Sequence, residues 1–221
     1  MRRLVGFLLV SGIALLLAAC SGSGTGSSTT TTATLANVTQ DVPSDWITYS
    51  EETAAFSISY PKDWEVFALD EAAVAEVIAG IEGAPAIKNA AIVFQAGLPL
   101  PDGFDPGVTV VIEALPEALS ADEYAEAAKR GIKSGIPSYA STEQVKTAVA
   151  GREMVLVHAS YEVSDLNQGF EGRLWMIQGL TVDGSTGWTV TCSKVAVDSL
   201  ALAPDLDECT TIVRTFKPRN A

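Results

Sequence analysis

Phe56-Ser57-Ile58-Ser59-Tyr60-Pro61-Lys62-Asp63-Trp64 sets apolar side chains at 56, 58 and 60 against serines at 57 and 59. Alternation with period two is the pattern of a half-buried β-strand. Pro61-Lys62-Asp63 is turn chemistry, because proline presets φ and aspartate accepts local backbone hydrogen bonds. Trp64-Glu65-Val66-Phe67 resumes the extended pattern and is expected to return as the hairpin partner of 56–60. Upstream, Trp46-Ile47-Thr48-Tyr49-Ser50 reads as an earlier extended segment.

Working outward, Asp70 caps a predicted helix over 70–83, with Ala73, Val74, Val77, Ile78 and Ile81 at helical spacing and Gly83 ending it. Segments 87–95 and 108–115 read as two strands. Ser120-Ala121-Asp122-Glu123 has the S-x-x-E form of a capping box and opens a helix through about Lys133. Tyr124, Ala127, Ala128 and Ile132 are its apolar stripe, and Gly135 and Pro137 stop it. Segments 154–163, 173–182 and 188–195 read as successive antiparallel strands, with Asp183-Gly184-Ser185-Thr186-Gly187 turning the last hairpin. A final helix begins near Asp205 and ends before Pro218. The class expected is α+β, an antiparallel β-sheet covered by helices.

The spacing Trp46-x-Thr48-Tyr49-Ser50 followed by Phe56-Ser57-Ile58-Ser59-Tyr60-Pro61-Lys62-Asp63-Trp64 resembles the opening of PsbP-like domains. That superfamily includes the LpqN-type actinobacterial lipoproteins. The resemblance extends over 46–218 and implies an α/β/α sandwich with an accessory, protein-binding role. No functional residue of the photosystem subunit in that superfamily can be matched here, so no cofactor role is carried over.

The N-terminus carries a second resemblance. Arg2 and Arg3 precede an almost unbroken apolar run over 4–19, ending in Leu17-Ala18-Ala19-Cys20. The run is shorter than the ~20 residues that span a bilayer and fits a secretory signal. Leu-Ala-Ala-Cys resembles the lipobox of bacterial lipoproteins, in which the signal is cut before a cysteine carrying a diacylglyceryl group. Cys20 is the lipidation site this implies. The chain then divides into 1–19, signal peptide; 20–45, lipidated cysteine and tether; and 46–221, globular domain. From Ser21 to Ala33 nearly every residue is Ser, Gly or Thr, a composition that buries too little apolar surface to order itself. As a flexible chain, 20–45 spans ~25–30 Å. The localisation expected is the extracytoplasmic face of a bacterial cell membrane.

The whole chain has 14 basic and 27 acidic residues. Loss of Arg2 and Arg3 leaves 12 against 27, a formal charge of −15. Such a surface repels phosphate backbones, so nucleic acid is not an expected partner. It also disfavours direct contact with anionic headgroups, leaving the lipid to hold the domain at the membrane.

Lipidation of Cys20 leaves Cys192 and Cys209 as a pair in an oxidising compartment. Trp188, Val190 and Cys192 share one strand face, and Cys209 stands on a helical stripe with Leu206, Ile212, Val213 and Phe216. Both thiols therefore point into one sheet–helix layer. The competing readings are two buried free thiols or a redox pair. A redox pair usually has C-x-x-C spacing in an electropositive setting, and this segment is acidic, which favours a structural disulfide.

Between the strands at 87–95 and 108–115, a Pro- and Gly-rich stretch presents Leu98, Leu100 and Phe104. It reads either as a partner-binding loop or as a connection whose apolar residues tuck onto the sheet, the simpler account. His158, the single histidine, stands in a strand with Met154, Leu156 and Ser160 on its face. There is no G-x-S-x-G elbow, no phosphate loop and no clustered metal-ligand spacing, so neither a catalytic residue nor a metal or cofactor is assigned. Trp175, beside Arg173 and opposite Leu174 and Met176, is expected on a more open surface. The leading function is a membrane-tethered, non-catalytic binding or accessory protein with an envelope protein partner. An envelope hydrolase using His158 as base and a small-ligand carrier, with a pocket between the sheet and the 70–83 or 120–133 helix, are the alternatives.

Overall fold

The computed structural model describes residues 41–52, 54–67, 69, 90–99, 106–166, 172–196 and 203–218. Cys20, the tether up to residue 40, the helix expected over 70–83, Leu100 and Phe104 lie outside the described residues.

Strands β1 (Ile47–Glu51) and β2 (Phe56–Tyr60) form an antiparallel hairpin, Glu51 opposite Phe56 and Ile47 opposite Tyr60. The other edge of β2 is taken by the C-terminal residues, with Lys217 opposite Ser57. The expected hairpin between 56–60 and 64–67 is therefore corrected. A strand has two edges, both edges of β2 are occupied, and the turn Trp64 N–H to Pro61 O (3.1 Å) sends the chain away. Strand β3 (Glu65–Val66) joins a different sheet, beside β4 (Ala90–Gly97).

That larger sheet continues with β5 (Gly107–Ala114). After helix α1 (Ala121–Gly135) come β6 (Ala140–Val149), β7 (Arg152–Glu162), β8 (Arg173–Asp183) and β9 (Thr186–Ala196). Its seven strands run β3-β4-β5-β9-β8-β7-β6, every pair antiparallel. Helix α2 (Asp207–Thr215) and β10 (Lys217–Pro218) end the described chain.

Strands β7, β8 and β9 lie where alternation placed them. Strand β6 is a segment with no expected strand. Its first seven residues are exposed at the sheet edge, so no apolar stripe marks it. Its turn to β7 is tight, with Ala150 and Gly151 at φ of 52° and 79°, the positive pair of a two-residue hairpin turn.

The seven-stranded sheet is buried on both faces. On one, Tyr124, Ala125, Ala128 and Ile132 of α1 pack on Val155, Val157, Leu174 and Met176. On the other, Ile212, Val213 and Phe216 meet Phe56 and Ile58 of the small sheet and Phe94, Val110, Ile177 and Val190 of the large one. The class is α+β, mostly antiparallel sheet with a described helix on each face. The second covering layer is shared between α2 and the three-stranded sheet. Thr215 stitches the two, its hydroxyl accepting from Ser59 N–H (2.8 Å) and donating to Ile212 O (2.7 Å).

Candidate functional site

Helix α1 begins with the capping box read from Ser120: its hydroxyl accepts from Glu123 N–H (3.2 Å), and Ser120 N–H donates to Glu123 Oε2 (2.8 Å). Charge along the helix is segregated. Asp122, Glu123 and Glu126 occupy the first half, and Lys129, Arg130 and Lys133 the second, as the helix dipole favours at each end.

Between the second half of α1 and the start of β6 lies an open cleft of about 500 Å³, lined by Lys129, Arg130, Lys133, Ser134, Tyr139 and Ser141. Lys129 Nζ sits 2.5 Å from Glu126 Oε1 and donates to Gln144 Oε1 of β6 at 2.6 Å. Lys133 Nζ donates to Pro137 O (2.5 Å) and Tyr139 O (2.8 Å), closing the helix end on two carbonyls. Asp165 is occupied by Ser138 N–H at 2.8 Å. Arg130 is exposed, and among the described residues it faces no carboxylate. The cleft is therefore electropositive on an acidic protein.

Tyr139 links the cleft to the interior. Burial, and to a lesser degree the charge of Glu126, raise its phenol pKa. Its hydroxyl donates to Gln178 Oε1 (3.4 Å), and Gln178 Nε2 donates to Thr191 Oγ1 (3.3 Å). Cross-strand register continues the row: Thr191 opposite Thr109, and Thr109 opposite Gln95. Gln95 and Thr109 are each 1 % exposed, and neither side chain finds a hydrogen-bond partner among the described residues.

A second buried polar group stands further along β5. Glu113 is 3 % exposed and accepts from Tyr124 OH at 3.3 Å, and that hydroxyl also lies 3.1 Å from Thr189 Oγ1. Burial pushes the Glu113 carboxyl up to about 7, against the lowering effect of the Tyr124 bond. Gly187 makes room for this arrangement, since a β-carbon there would lie 2.6 Å from Tyr124 Cζ.

Cys192 and Cys209 are joined in a disulfide with Cα atoms 5.2 Å apart, both fully buried between β9 and α2. Leu98 is half-buried against the core that α2 covers. His158 is half-buried on β7, level with Glu143 and Ile177. Among the described residues no hydrogen bond joins its imidazole to Ser160 or to a carboxylate. Beneath α1, Tyr124, Ala125, Ala128 and Ile132 pack directly on the sheet residues Val155, Val157, Leu174 and Met176. Trp175 is half-buried with the Arg173 guanidinium 5.8 Å from its ring centre, and Arg173 also pairs with Glu162. Among the described residues no three His, Cys, Asp or Glu side chains are grouped to hold a metal, and no helix is long and apolar enough to cross a membrane.

The cationic cleft escaped notice in the sequence because its floor, Tyr139 and Ser141, comes from the approach to, and the start of, a strand with no apolar signature. The available signal was three cations within five positions of one helix in an acidic chain.

Fold and site together describe an α+β domain, mostly antiparallel sheet, with an open charged cleft beside one helix. No protein-family model and no curated protein matches the chain. Among solved structures, it is similar to the cyanobacterial PsbP (CyanoP) of Synechocystis, with TM-score 0.49 and 11% identity over 79% of this chain and 92% of that one. It is also similar to LpqN of Mycobacterium tuberculosis, described as involved in cell envelope biogenesis, with TM-score 0.45 and 10% identity over 77% and 88% of the two chains. At these values the likeness concerns the arrangement of strands and helices alone.

Proposed function

We propose that this chain is a lipid-anchored extracytoplasmic binding protein, non-catalytic, whose domain is presented to an envelope partner on a Ser/Gly/Thr-rich tether. The observation that carries it is the fully buried Cys192–Cys209 disulfide. Such bonds persist in oxidising compartments and are rare in the cytosol, so the bond supports export. An Arg-led apolar run ending in Leu-Ala-Ala-Cys supports export with acylation at Cys20. Two or more acyl chains, at about 0.8 kcal/mol per buried methylene, hold a protein firmly where one chain is marginal. With a formal charge of −13 for the whole chain, the surface does not itself favour an anionic membrane, and the anchor supplies the localisation.

The test expresses the full chain and its Cys20→Ser variant in a bacterium fed an alkyne fatty acid. Wild type should take up label and sediment with membranes, while the variant stays unlabelled and is released. Equal labelling of the two removes the proposal. Crosslinking and mass spectrometry in intact cells should then join the domain reproducibly to one envelope protein; crosslinks scattered over unrelated proteins would argue against a dedicated partner.

A further inference from the structure

We infer that the cleft between α1 and β6 binds a dianionic oxyanion of the phosphate-monoester class. The inference names a ligand for the binding domain proposed above and rests on that reading, but it does not depend on acylation of Cys20.

The argument is one of charge left over. The chain has 27 acidic and 14 basic residues, and although Lys62 and Lys217 also lack a carboxylate partner among the described residues, Arg130 and Lys133 are unpaired cations that line one cleft. Lys146, Arg152, Arg173 and Lys194 face Asp122, Asp183, Glu162 and Glu208, and Lys129 faces Glu126. Arg130 and Lys133 face none among the described residues, and both line the same cleft. The helix dipole does not account for the group, because its effect fades beyond the last turn and only Lys133 lies in that turn. Lys129 and Lys133, four apart on one helix, repel each other slightly, and the fold keeps them together.

With Lys129 neutralised by Glu126, the cleft carries two uncompensated positive charges, which match a dianion better than a single carboxylate. Arg130 offers a planar fork suited to two oxygens of a phosphate. Lys133 is already steered by two carbonyl acceptors and retains donor capacity, since an ammonium has three N–H groups. The open cleft of about 500 Å³ leaves room for a small oxyanion beside Arg130 and Lys133. The same chemistry could come from a soluble phosphorylated compound or from a phosphomonoester lipid headgroup.

The probes are inorganic phosphate and vesicles of phosphatidylcholine with or without phosphatidic acid, added to the full-length protein in non-ionic detergent or with vesicles alone. Phosphate binding, followed by calorimetry, should tighten several-fold from pH 5.0 to 7.5 as the second phosphate proton, with a pKa of about 6, is lost. Arg130→Gln should weaken it about tenfold, while Lys62→Gln, in the turn before β3, leaves it unchanged. Lys133→Met tests the second cation, with circular dichroism to confirm that α1 remains. Displacement of bound phosphate by phosphatidic-acid vesicles, but not by phosphatidylcholine alone, assigns a lipid source; phosphate binding that neither vesicle displaces assigns a soluble one. Absence of phosphate binding, or binding that Arg130→Gln leaves intact, overturns the inference. Neither result bears on the fatty-acid labelling of Cys20, so the two proposals fail separately.

Discussion

Val213 on the inner side of α2 occupies the space directly over Gly179 of β8: a β-carbon added at Gly179 would overlap Val213 Cγ1 and come within 2.9 Å of Met154 Sδ. Helix and sheet can approach this closely only because position 179 carries no side chain. Gly179→Ala should therefore lower stability by about 1–3 kcal/mol through overpacking. Urea denaturation should show a lower midpoint with an unchanged slope, and an unchanged midpoint would refute the close approach.

The Cys192–Cys209 bond ties the same helix to β9 across a sequence separation of 17. In the chain-entropy account a loop of that length contributes about 3 kcal/mol. The double substitution Cys192→Ala, Cys209→Ala should lose about that much. Adding reductant should destabilise wild type and leave the double variant where it was; a reductant effect on both would point elsewhere.

Glu113 makes stability depend on pH with a definite sign. Its carboxyl is pushed from 4.5 in the open chain to about 7 in the fold, so between those values the folded state holds a proton that the unfolded state has lost. The stabilisation is complete below about 4.5 and is lost as pH rises through about 7. Glu113→Gln should remove that slope and stabilise the protein at pH 8 by about 1–2 kcal/mol. Melting curves from pH 4 to 8 decide it; parallel curves for the two proteins would refute the buried carboxyl.

Gln95 and Thr109 are buried side by side on β4 and β5, with no partner for either side chain among the described residues. An unsatisfied buried amide costs about 1–3 kcal/mol, and replacing it by an apolar group of similar size relieves that cost. Gln95→Met should leave stability unchanged or raise it by about 1 kcal/mol. A loss greater than that would mean the amide holds a ligand or a bound water in solution.

Much of the domain was legible because its signals are local. Alternation places β7, β8 and β9, and Ser120 with Glu123 places the start of α1. Two periodicities set Cys192 and Cys209 on facing sides of one layer. Each rests on side chains a few positions apart, so the strand or helix needs no knowledge of its neighbours.

What only the tertiary structure decided is which elements meet. Segment 64–67 looks like a partner for 56–60, yet both edges of β2 go to β1 and β10, the latter from the far end of the chain, and β3 changes sheet. β6 has a polar, exposed sequence and becomes a strand because β7 offers it an edge. The raised pKa of Glu113 and the unpartnered amide of Gln95 come from burial beneath other layers, which their own sequence neighbours do not reveal. Lys129, Arg130 and Lys133 were always one helical run, but a cleft exists only where α1, packed across β7 and β8, overhangs Tyr139 and Ser141.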